Sequence, residues 1–173
     1  LFIYRLLDSE IIKEIYDDIE IQTNEEKEIE LGFKNKKIAR NIVKVTSRLS
    51  VIYREDRTRY SMQLIADILK RLSDENKISK KDLYELKESE VIDIIESSKY
   101  NDIFNIWRNA KKVKTSKEEP QNVYYVHHGA KIRYIDPLFN GERISKCCKI
   151  ANKMIENNLS YDMNNYVYLD FNF

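Results

Sequence analysis

The residues whose types and spacing best suit binding chemistry are three arginines within six positions. Arg54, Arg57 and Arg59 lie beside Tyr60, where an apolar helical pattern begins. A planar guanidinium group matches phosphate through paired hydrogen bonds, and the N-terminus of a helix also attracts anions. The cluster of Arg54, Arg57, Arg59 and Tyr60 therefore predicts a site for the phosphate of a nucleotide effector.

The same arginines also suit a structural role. Glu55, Asp56 and neighbouring acids lie close enough along the chain to form ion pairs with them, within one chain or across a subunit interface. The residues alone favour these ion pairs over an effector site.

A smaller basic and aromatic group follows in the last third of the chain. Lys131 and Arg133, with Tyr124 and Tyr125, are residue types that bind nucleic acid through phosphate contacts and stacking. Thirty basic residues against twenty-nine acidic ones leave a net charge of only +1, so no overall field attracts a polyanion. Nucleic acid is therefore not an expected partner.

The histidines and cysteines do not form a recognisable catalytic or metal-binding pattern. His127 and His128 are adjacent and would point to opposite faces of a strand, so we interpret them as turn residues. Cys147 and Cys148 are adjacent, which strains a disulfide, and they lack a neighbouring base, so we interpret them as structural thiols. No catalytic residue, metal ligand or cofactor is assigned within the chain, which also lacks the P-loop, GxGxxG, GxSxG and HExxH motifs.

The elements that position these residues are expected to be mainly helices, because three glycines and two prolines leave few helix breakers. Apolar residues recur at helical spacing over 6–19, 38–52 and 60–72, and shorter helices follow up to about residue 112. Asp56 is expected to cap the third helix, and Ser79 and Asp82 have the spacing of a capping box.

After Pro120 the residue pattern changes from helical spacing to that of short strands and turns. Residues 123–126 and 131–137 predict a β-hairpin, Asn140-Gly141 a turn, residues around 150–155 a helix and 166–171 a strand. The expected fold is α+β and predominantly helical: a bundle-like helical region over 1–114, followed by a small antiparallel sheet with one or two helices over 115–173.

The ends and the composition indicate a piece of a larger cytoplasmic protein. The chain starts with Leu1-Phe2-Ile3-Tyr4 rather than Met, and its two adjacent cysteines suit a reducing compartment. No apolar run approaches the roughly 20 residues that cross a bilayer, so a membrane is not an expected partner.

Three segments resemble the C-terminal part of bacterial HD-superfamily phosphohydrolases, relatives of the deoxynucleoside triphosphate triphosphohydrolases. They are RLSVIYREDRTRYSMQLIADILK at 48–70, ISKKDLYELKESEVIDIIES at 78–97 and KIRYIDPL at 131–138. The resemblance covers roughly residues 30 to 160, and none of the three segments is a catalytic signature.

The resemblance implies a role for the chain within a larger enzyme. In that family the His…His-Asp…Asp ligands of a divalent metal lie upstream of these segments, and this chain contains no His-Asp dipeptide. The implied parent protein hydrolyses nucleotides, while this region packs against its own upstream HD domain, supports a homo-oligomer and is inactive when isolated. In triphosphohydrolases the corresponding helical region approaches regulatory nucleotides, so the resemblance also implies a nucleotide effector near Arg54, Arg57 and Arg59. Two other interpretations remain: a regulatory nucleotide-binding module that uses the Arg54 to Arg59 cluster, and an interaction scaffold unrelated to HD enzymes.

Overall fold

The computed structural model describes residues 8–173, which form eight helices and seven short strands. In chain order these are α1 (Ser9–Asp18), β1 (Ile19–Thr23), β2 (Ile29–Phe33), α2 (Lys36–Arg54), α3 (Asp56–Asp74), α4 (Asp82–Glu85), α5 (Glu88–Glu96), α6 (Asn101–Asn109), β3 (Lys114–Ser116), β4 (Tyr125–Val126), β5 (Leu138–Phe139), β6 (Glu142–Arg143), α7 (Ile144–Cys147), α8 (Lys149–Leu159) and β7 (Tyr166–Tyr168). The predicted α+β, mainly helical fold is confirmed. None of the helices in the described part of the chain is long and apolar enough to cross a bilayer.

Contacts divide the described chain into two compact units. The first comprises residues 8–53 and 131–161, and the second comprises 54–130 and 162–173. This division does not follow the boundary expected at residue 114, because each unit combines an early stretch with a late one. The predicted helix start at Leu6 and the interpretation of Leu1-Phe2-Ile3-Tyr4 concern residues outside the described part.

The first unit is built on a four-stranded sheet in the order β1-β2-β5-β6, with helices packed around it. Strands β1 and β2 are antiparallel, whereas β2 and β5 are parallel. The predicted turn at Asn140-Gly141 joins β5 to β6, and both residues have positive φ angles, 53° and 79°. The buried core of this unit consists of Phe33, Ala39, Val43, Ile144, Ala151 and Ile155.

The first helix ends earlier than its apolar spacing predicts. That spacing extends the helix through Ile19, but α1 ends at Asp18 and β1 begins at Ile19. The prediction was wrong because Ile19–Thr23 pairs along its whole length with Ile29–Phe33, and this ladder supplies hydrogen bonds that replace those of a longer helix.

The second unit surrounds helix α3. Tyr60, Leu64, Ile68 and Leu72 of α3 are fully buried, and the sheet of this unit has the order β3-β7-β4 with both pairs antiparallel. The pairing of β4 with β7 sets Val126 directly opposite Val167, and both side chains lie in the core of this unit.

The predicted hairpin between residues 123–126 and 131–137 does not form. Tyr125 and Val126 pair with β7 instead, and residues 131–137 are not a strand. The first predicted arm, 123–126, belongs to the second unit, and the second arm, 131–137, belongs to the first, because the division falls between residues 130 and 131. The strand predicted over 166–171 is shorter than expected, since β7 covers only Tyr166–Tyr168, and the predicted helix around 150–155 is present as α8.

The two predicted helix caps have different outcomes. The backbone N–H of Ser79 donates to Asp82 Oδ2 at 2.7 Å and that of Asp82 donates to Ser79 Oγ at 3.2 Å, which confirms the capping box. Asp56 does not cap α3: it is the first helical residue, Glu55 precedes it without a side-chain cap, and the carboxylate of Asp56 binds Arg59.

Candidate functional site

The three arginines of the predicted phosphate site differ sharply in exposure. Arg54 ends α2 with 1% of its surface exposed, and Arg59 lies in α3 with 3% exposed. Arg57 is exposed. Of the three, Arg57 is therefore the one whose guanidinium is open to a ligand from solvent.

Arg59 is held by partners within the second unit. Its Nη2 donates to Asp56 Oδ1 at 2.5 Å, and its Nη1 donates to the backbone carbonyl of His128. Asp56 Oδ2 in turn accepts a hydrogen bond from Asn165 Nδ2 at 3.0 Å. This arrangement is the ion pairing that the sequence offers as the alternative to an effector site.

Tyr60 is a core residue of the second unit. It is fully buried, and its ring meets that of Tyr124 edge-on with centroids 5.8 Å apart. Burial raises the pKa of the Tyr60 hydroxyl well above its usual value. An effector at Arg54, Arg57, Arg59 and Tyr60 stays a prediction, and the exposed part of that site is Arg57.

The histidines are exposed near the edge of the β3-β7-β4 sheet. The His127 ring stacks on Tyr166 with centroids 3.8 Å apart, and His127 Nε2 lies 3.1 Å from Asn164 Oδ1. His128 contributes its backbone carbonyl to Arg59. Within residues 8–173, no group of three or more His, Cys, Asp or Glu side chains is arranged to hold a metal ion.

The cysteines are free thiols in the first unit. Cys147 and Cys148 are both half-buried and pack against its hydrophobic core. Cys147 Sγ lies 3.7 Å from the carbonyl oxygen of Ile144. The sequence favours buried thiols, whereas both side chains are only partly buried, and their structural role stays a prediction.

The tyrosines considered for nucleic acid are divided between the core and the surface. The Tyr124 hydroxyl donates to Asp67 Oδ2 at 2.7 Å, and its ring packs against Phe171 in the second unit. The Tyr125 hydroxyl donates to Glu119 Oε1 at 2.6 Å. Both hydroxyls are thus directed at carboxylates, a setting that disfavours a phosphate backbone.

The most unusual surface of the described chain is one face of the β1–β2 hairpin, which we call the apolar hairpin face. It carries Ile21, Ile29 and Leu31, of which 74%, 76% and 66% of the surface is exposed. Ile21 lies directly opposite Leu31, and Thr23 lies opposite Ile29, so these side chains share one side of the ribbon. Contiguous exposed apolar side chains of this kind mark sites of association.

The opposite face of the same hairpin is polar and buried. Gln22 and Asn24 are each only 9% exposed. Gln22 Nε2 donates to the carbonyl of Phe33 at 3.1 Å, and Gln22 Oε1 accepts from the N–H of Gly141 at 2.9 Å. Gly32 makes room for this amide, since a Cβ at that position would lie 2.5 Å from Gln22 Cδ.

An ion pair fixes the polar face against β6. Arg143 Nη2 and Nη1 donate to the two carboxylate oxygens of Glu30 at 2.7 and 2.9 Å, and Asn24 Nδ2 donates to Glu30 Oε1 at 2.6 Å. The Arg143 and Asn24 hydrogen bonds lower the pKa of Glu30, so the carboxylate stays charged. With its polar side anchored in this way, the hairpin presents Ile21, Ile29 and Leu31 to the outside.

The apolar hairpin face was missed in the sequence, although a signal for it exists. Apolar residues alternate over 19–21 and again over 29–33, on either side of the polar segment 24–28, which is the pattern of a hairpin. The helical spacing that leads up to Ile19 masked this alternation.

Comparisons with family models, curated proteins and solved structures find no match to this chain, so its resemblance to HD-superfamily phosphohydrolases stays a prediction.

Proposed function

We propose that the chain is a non-catalytic accessory and oligomerisation region of a cytoplasmic HD-superfamily phosphohydrolase that acts on nucleotides. The divalent metal and its ligands belong, in this proposal, to an upstream HD domain of the same polypeptide. The observation that supports it is the apolar hairpin face, because a region that serves by association needs an exposed apolar surface held in a fixed orientation.

Burial of this face would contribute to docking. Fully burying one Ile or Leu side chain contributes about 1.5–3 kcal/mol. With two thirds or more of each side chain exposed, burial of Ile21, Ile29 and Leu31 offers about 3–6 kcal/mol per chain before the cost of association is subtracted. That is enough to contribute to a stable contact.

The segments that carry the family resemblance fall in both units. Residues 48–70 cover the end of α2 and most of α3, and residues 78–97 contain α4 and α5. Residues 131–138 lie in the first unit and lead into β5. The proposal therefore applies to the whole chain and not to one unit alone.

Two measurements test this proposal. The purified chain, supplied with Mn²⁺ or Mg²⁺ and deoxynucleoside triphosphates, is expected to release neither phosphate nor triphosphate. The native polypeptide is expected to be heavier than 20.8 kDa, to carry an upstream His…His-Asp…Asp set and to hydrolyse nucleotides when metal is added. Metal-dependent turnover by the chain itself contradicts the non-catalytic role, and a native sequence without those ligands contradicts the link to HD enzymes.

A further inference from the structure

A cleft of about 530 Å³ lies in the first unit, between helix α2 and the segment that leads into β5. Its α2 wall consists of Thr46, Leu49, Ser50 and Tyr53. These positions follow the spacing i, i+3, i+4 and i+7, so they share one face of the helix. Residues 132–135 form the other wall. The volume falls within the roughly 300–1,000 Å³ that is typical of small-molecule sites.

The lining of this cleft is mainly apolar and aromatic. Leu49, Ile132 and Ile135 supply apolar surface. Tyr53 and Tyr134 supply two aromatic rings, and 51% and 50% of the surface of these residues is exposed. A planar ligand that enters the cleft can stack on a tyrosine ring and remove apolar surface from water. The lining therefore favours an aromatic ligand over a saturated one.

Arg133 supplies a positive charge in the same cleft. Its side chain is exposed, and within residues 8–173 no carboxylate forms an ion pair with its guanidinium group. Asn158 of α8 is 2% exposed, and its Nδ2 donates to the carbonyl of Arg133 at 3.2 Å. This hydrogen bond anchors the backbone that carries the guanidinium group. A guanidinium group with its donors available suits a carboxylate or a phosphate.

Both walls of the cleft come from segments whose charges are positive. Helix α2 contains six basic residues and no acidic one. Residues 127–135 include Lys131 and Arg133 and also contain no acid. The next residue, Asp136, accepts hydrogen bonds from the backbone N–H and the hydroxyl of Ser145 at 3.0 and 2.5 Å, so its carboxylate is engaged at the start of α7. An anion at Arg133 therefore meets no competing carboxylate from either wall.

We propose that this cleft binds a planar aromatic ligand that carries an anionic group, with its ring against Tyr53 and Tyr134 and its anion on Arg133. A nucleoside monophosphate and an aromatic carboxylate share this chemistry. The site belongs to the first unit alone, and it does not depend on the proposed link to HD enzymes.

The cleft also gives Arg133 aromatic neighbours that its sequence context does not indicate. The sequence groups Arg133 with Tyr124 and Tyr125, but those two tyrosines belong to the second unit. The tyrosines that line the cleft with Arg133 are Tyr53, 80 positions earlier in the chain, and the adjacent Tyr134. The small cleft accommodates a single ring system, whereas a nucleic acid strand needs a longer surface.

Nuclear magnetic resonance titration of the full chain with matched small molecules tests the ligand class. Indole-3-acetate and tryptamine carry opposite charges on the same ring, and the anion is expected to bind about tenfold more tightly or better. Benzoate and cyclohexanecarboxylate carry the same charge on an aromatic and a saturated ring, and benzoate is expected to bind about threefold more tightly or better. Equal binding within either pair overturns the proposed chemistry.

Substitutions locate the binding on the protein. Arg133→Gln is expected to raise the dissociation constant of indole-3-acetate by about tenfold or more, and Tyr134→Leu by about threefold or more. Arg48→Gln is the matched control, since Arg48 is an exposed arginine of α2 outside the cleft, and it should leave binding unchanged. Circular dichroism verifies that each variant is folded. Equal weakening by Arg133→Gln and Arg48→Gln indicates a general attraction of anions and overturns the site.

A comparison of adenosine 5′-monophosphate with indole-3-acetate distinguishes the two sources of the ligand. Tighter binding of the nucleotide, sensitive to Arg133→Gln, assigns the cleft to nucleotides. Tighter binding of indole-3-acetate with the same sensitivity assigns it to aromatic acids. If neither compound shifts the resonances of residues around Tyr53 and Tyr134, the proposal is wrong.

Discussion

Arg59 donates a hydrogen bond to Asp56 at 2.5 Å, one helical turn earlier in α3, and its second nitrogen donates to the carbonyl of His128. The side chain of Arg59 is 2% exposed and that of Asp56 is 21% exposed. A basic residue that the sequence offers for ligand binding thus joins α3 to a loop of the same unit. Its first role is to stabilise the second unit.

Arg59→Ala is expected to destabilise the chain by about 3 kcal/mol, because it leaves the half-buried Asp56 carboxylate and a carbonyl without their donor. Urea denaturation measures the change in the free energy of unfolding. Arg57→Ala, the exposed neighbour, should alter that free energy by less than about 0.5 kcal/mol. Equal effects of the two substitutions would contradict a structural role for Arg59.

Substitution of Arg57 tests whether the arginine cluster binds a nucleotide effector. If a nucleotide phosphate docks at this helix start, calorimetry should show binding to wild type that Arg57→Ala weakens by about tenfold or more, the effect of losing one charge-assisted contact. Arg48→Ala, at an exposed position within α2, serves as the control. No measurable heat with any nucleotide removes the effector hypothesis.

Glu75 should make the stability of the second unit depend on pH. The Tyr100 hydroxyl donates to Glu75 Oε1 at 2.6 Å and Lys99 lies 2.9 Å away, and these contacts lower the pKa of Glu75 from 4.5 to about 2. Because the folded-state pKa is the lower one, this stabilisation is present above pH 4.5 and is lost as the pH falls towards 2.

Glu75→Gln should therefore flatten the dependence of unfolding free energy on pH between 2 and 4.5, and lower the stability at neutral pH. Chemical denaturation at a series of pH values measures both effects. Asp74→Asn, at the exposed neighbouring position, is the control. If the Glu75→Gln and wild-type profiles run parallel across this window, Glu75 does not carry the effect.

Gly32→Ala should destabilise the first unit by about 1–2 kcal/mol. The new Cβ would lie 2.5 Å from Gln22 Cδ, so the amide must move and release its hydrogen bonds to Phe33 and Gly141. Gly129→Ala is the matched control, since its nearest neighbour, Met163 Cε, lies at an ordinary 3.8 Å. Thermal denaturation of both variants gives the comparison, and equal melting temperatures would argue against tight packing at Gly32.

The parts of the fold that could be predicted are those whose signal is local. Helices α2 and α3, of 19 residues each, contain the apolar spacing found over 38–52 and 60–72, and the turn at Asn140-Gly141 uses residue types that tolerate positive φ. The strand at Ile19 could not be separated from the preceding helix in this way. Its identity depends on pairing with β2, and the apolar spacing of Ile15 and Ile19 also fits a helix.

The candidate sites depended still more on distant partners. The burial of Arg59 follows from a carbonyl at His128, 69 residues away in the sequence, which no local pattern indicates. The outward direction of Ile21 and Leu31 follows from Gln22, whose amide binds Gly141, 119 residues further along. The residue types indicated the possible chemistry of each site. Whether a side chain is buried or exposed depended on contacts with residues far away in the sequence.

The interleaving of the two units has a consequence for how the gene product can be made and divided. Strand β7 is the central strand of the second unit's sheet, yet residues 162–173 follow every residue of the first unit. During synthesis on the ribosome, the second unit cannot complete its sheet until the first has been translated in full. Because each unit consists of two separate stretches, a single cut in the polypeptide releases neither unit whole. A truncation or a gene fusion at one point therefore cannot keep one unit intact and leave the other out.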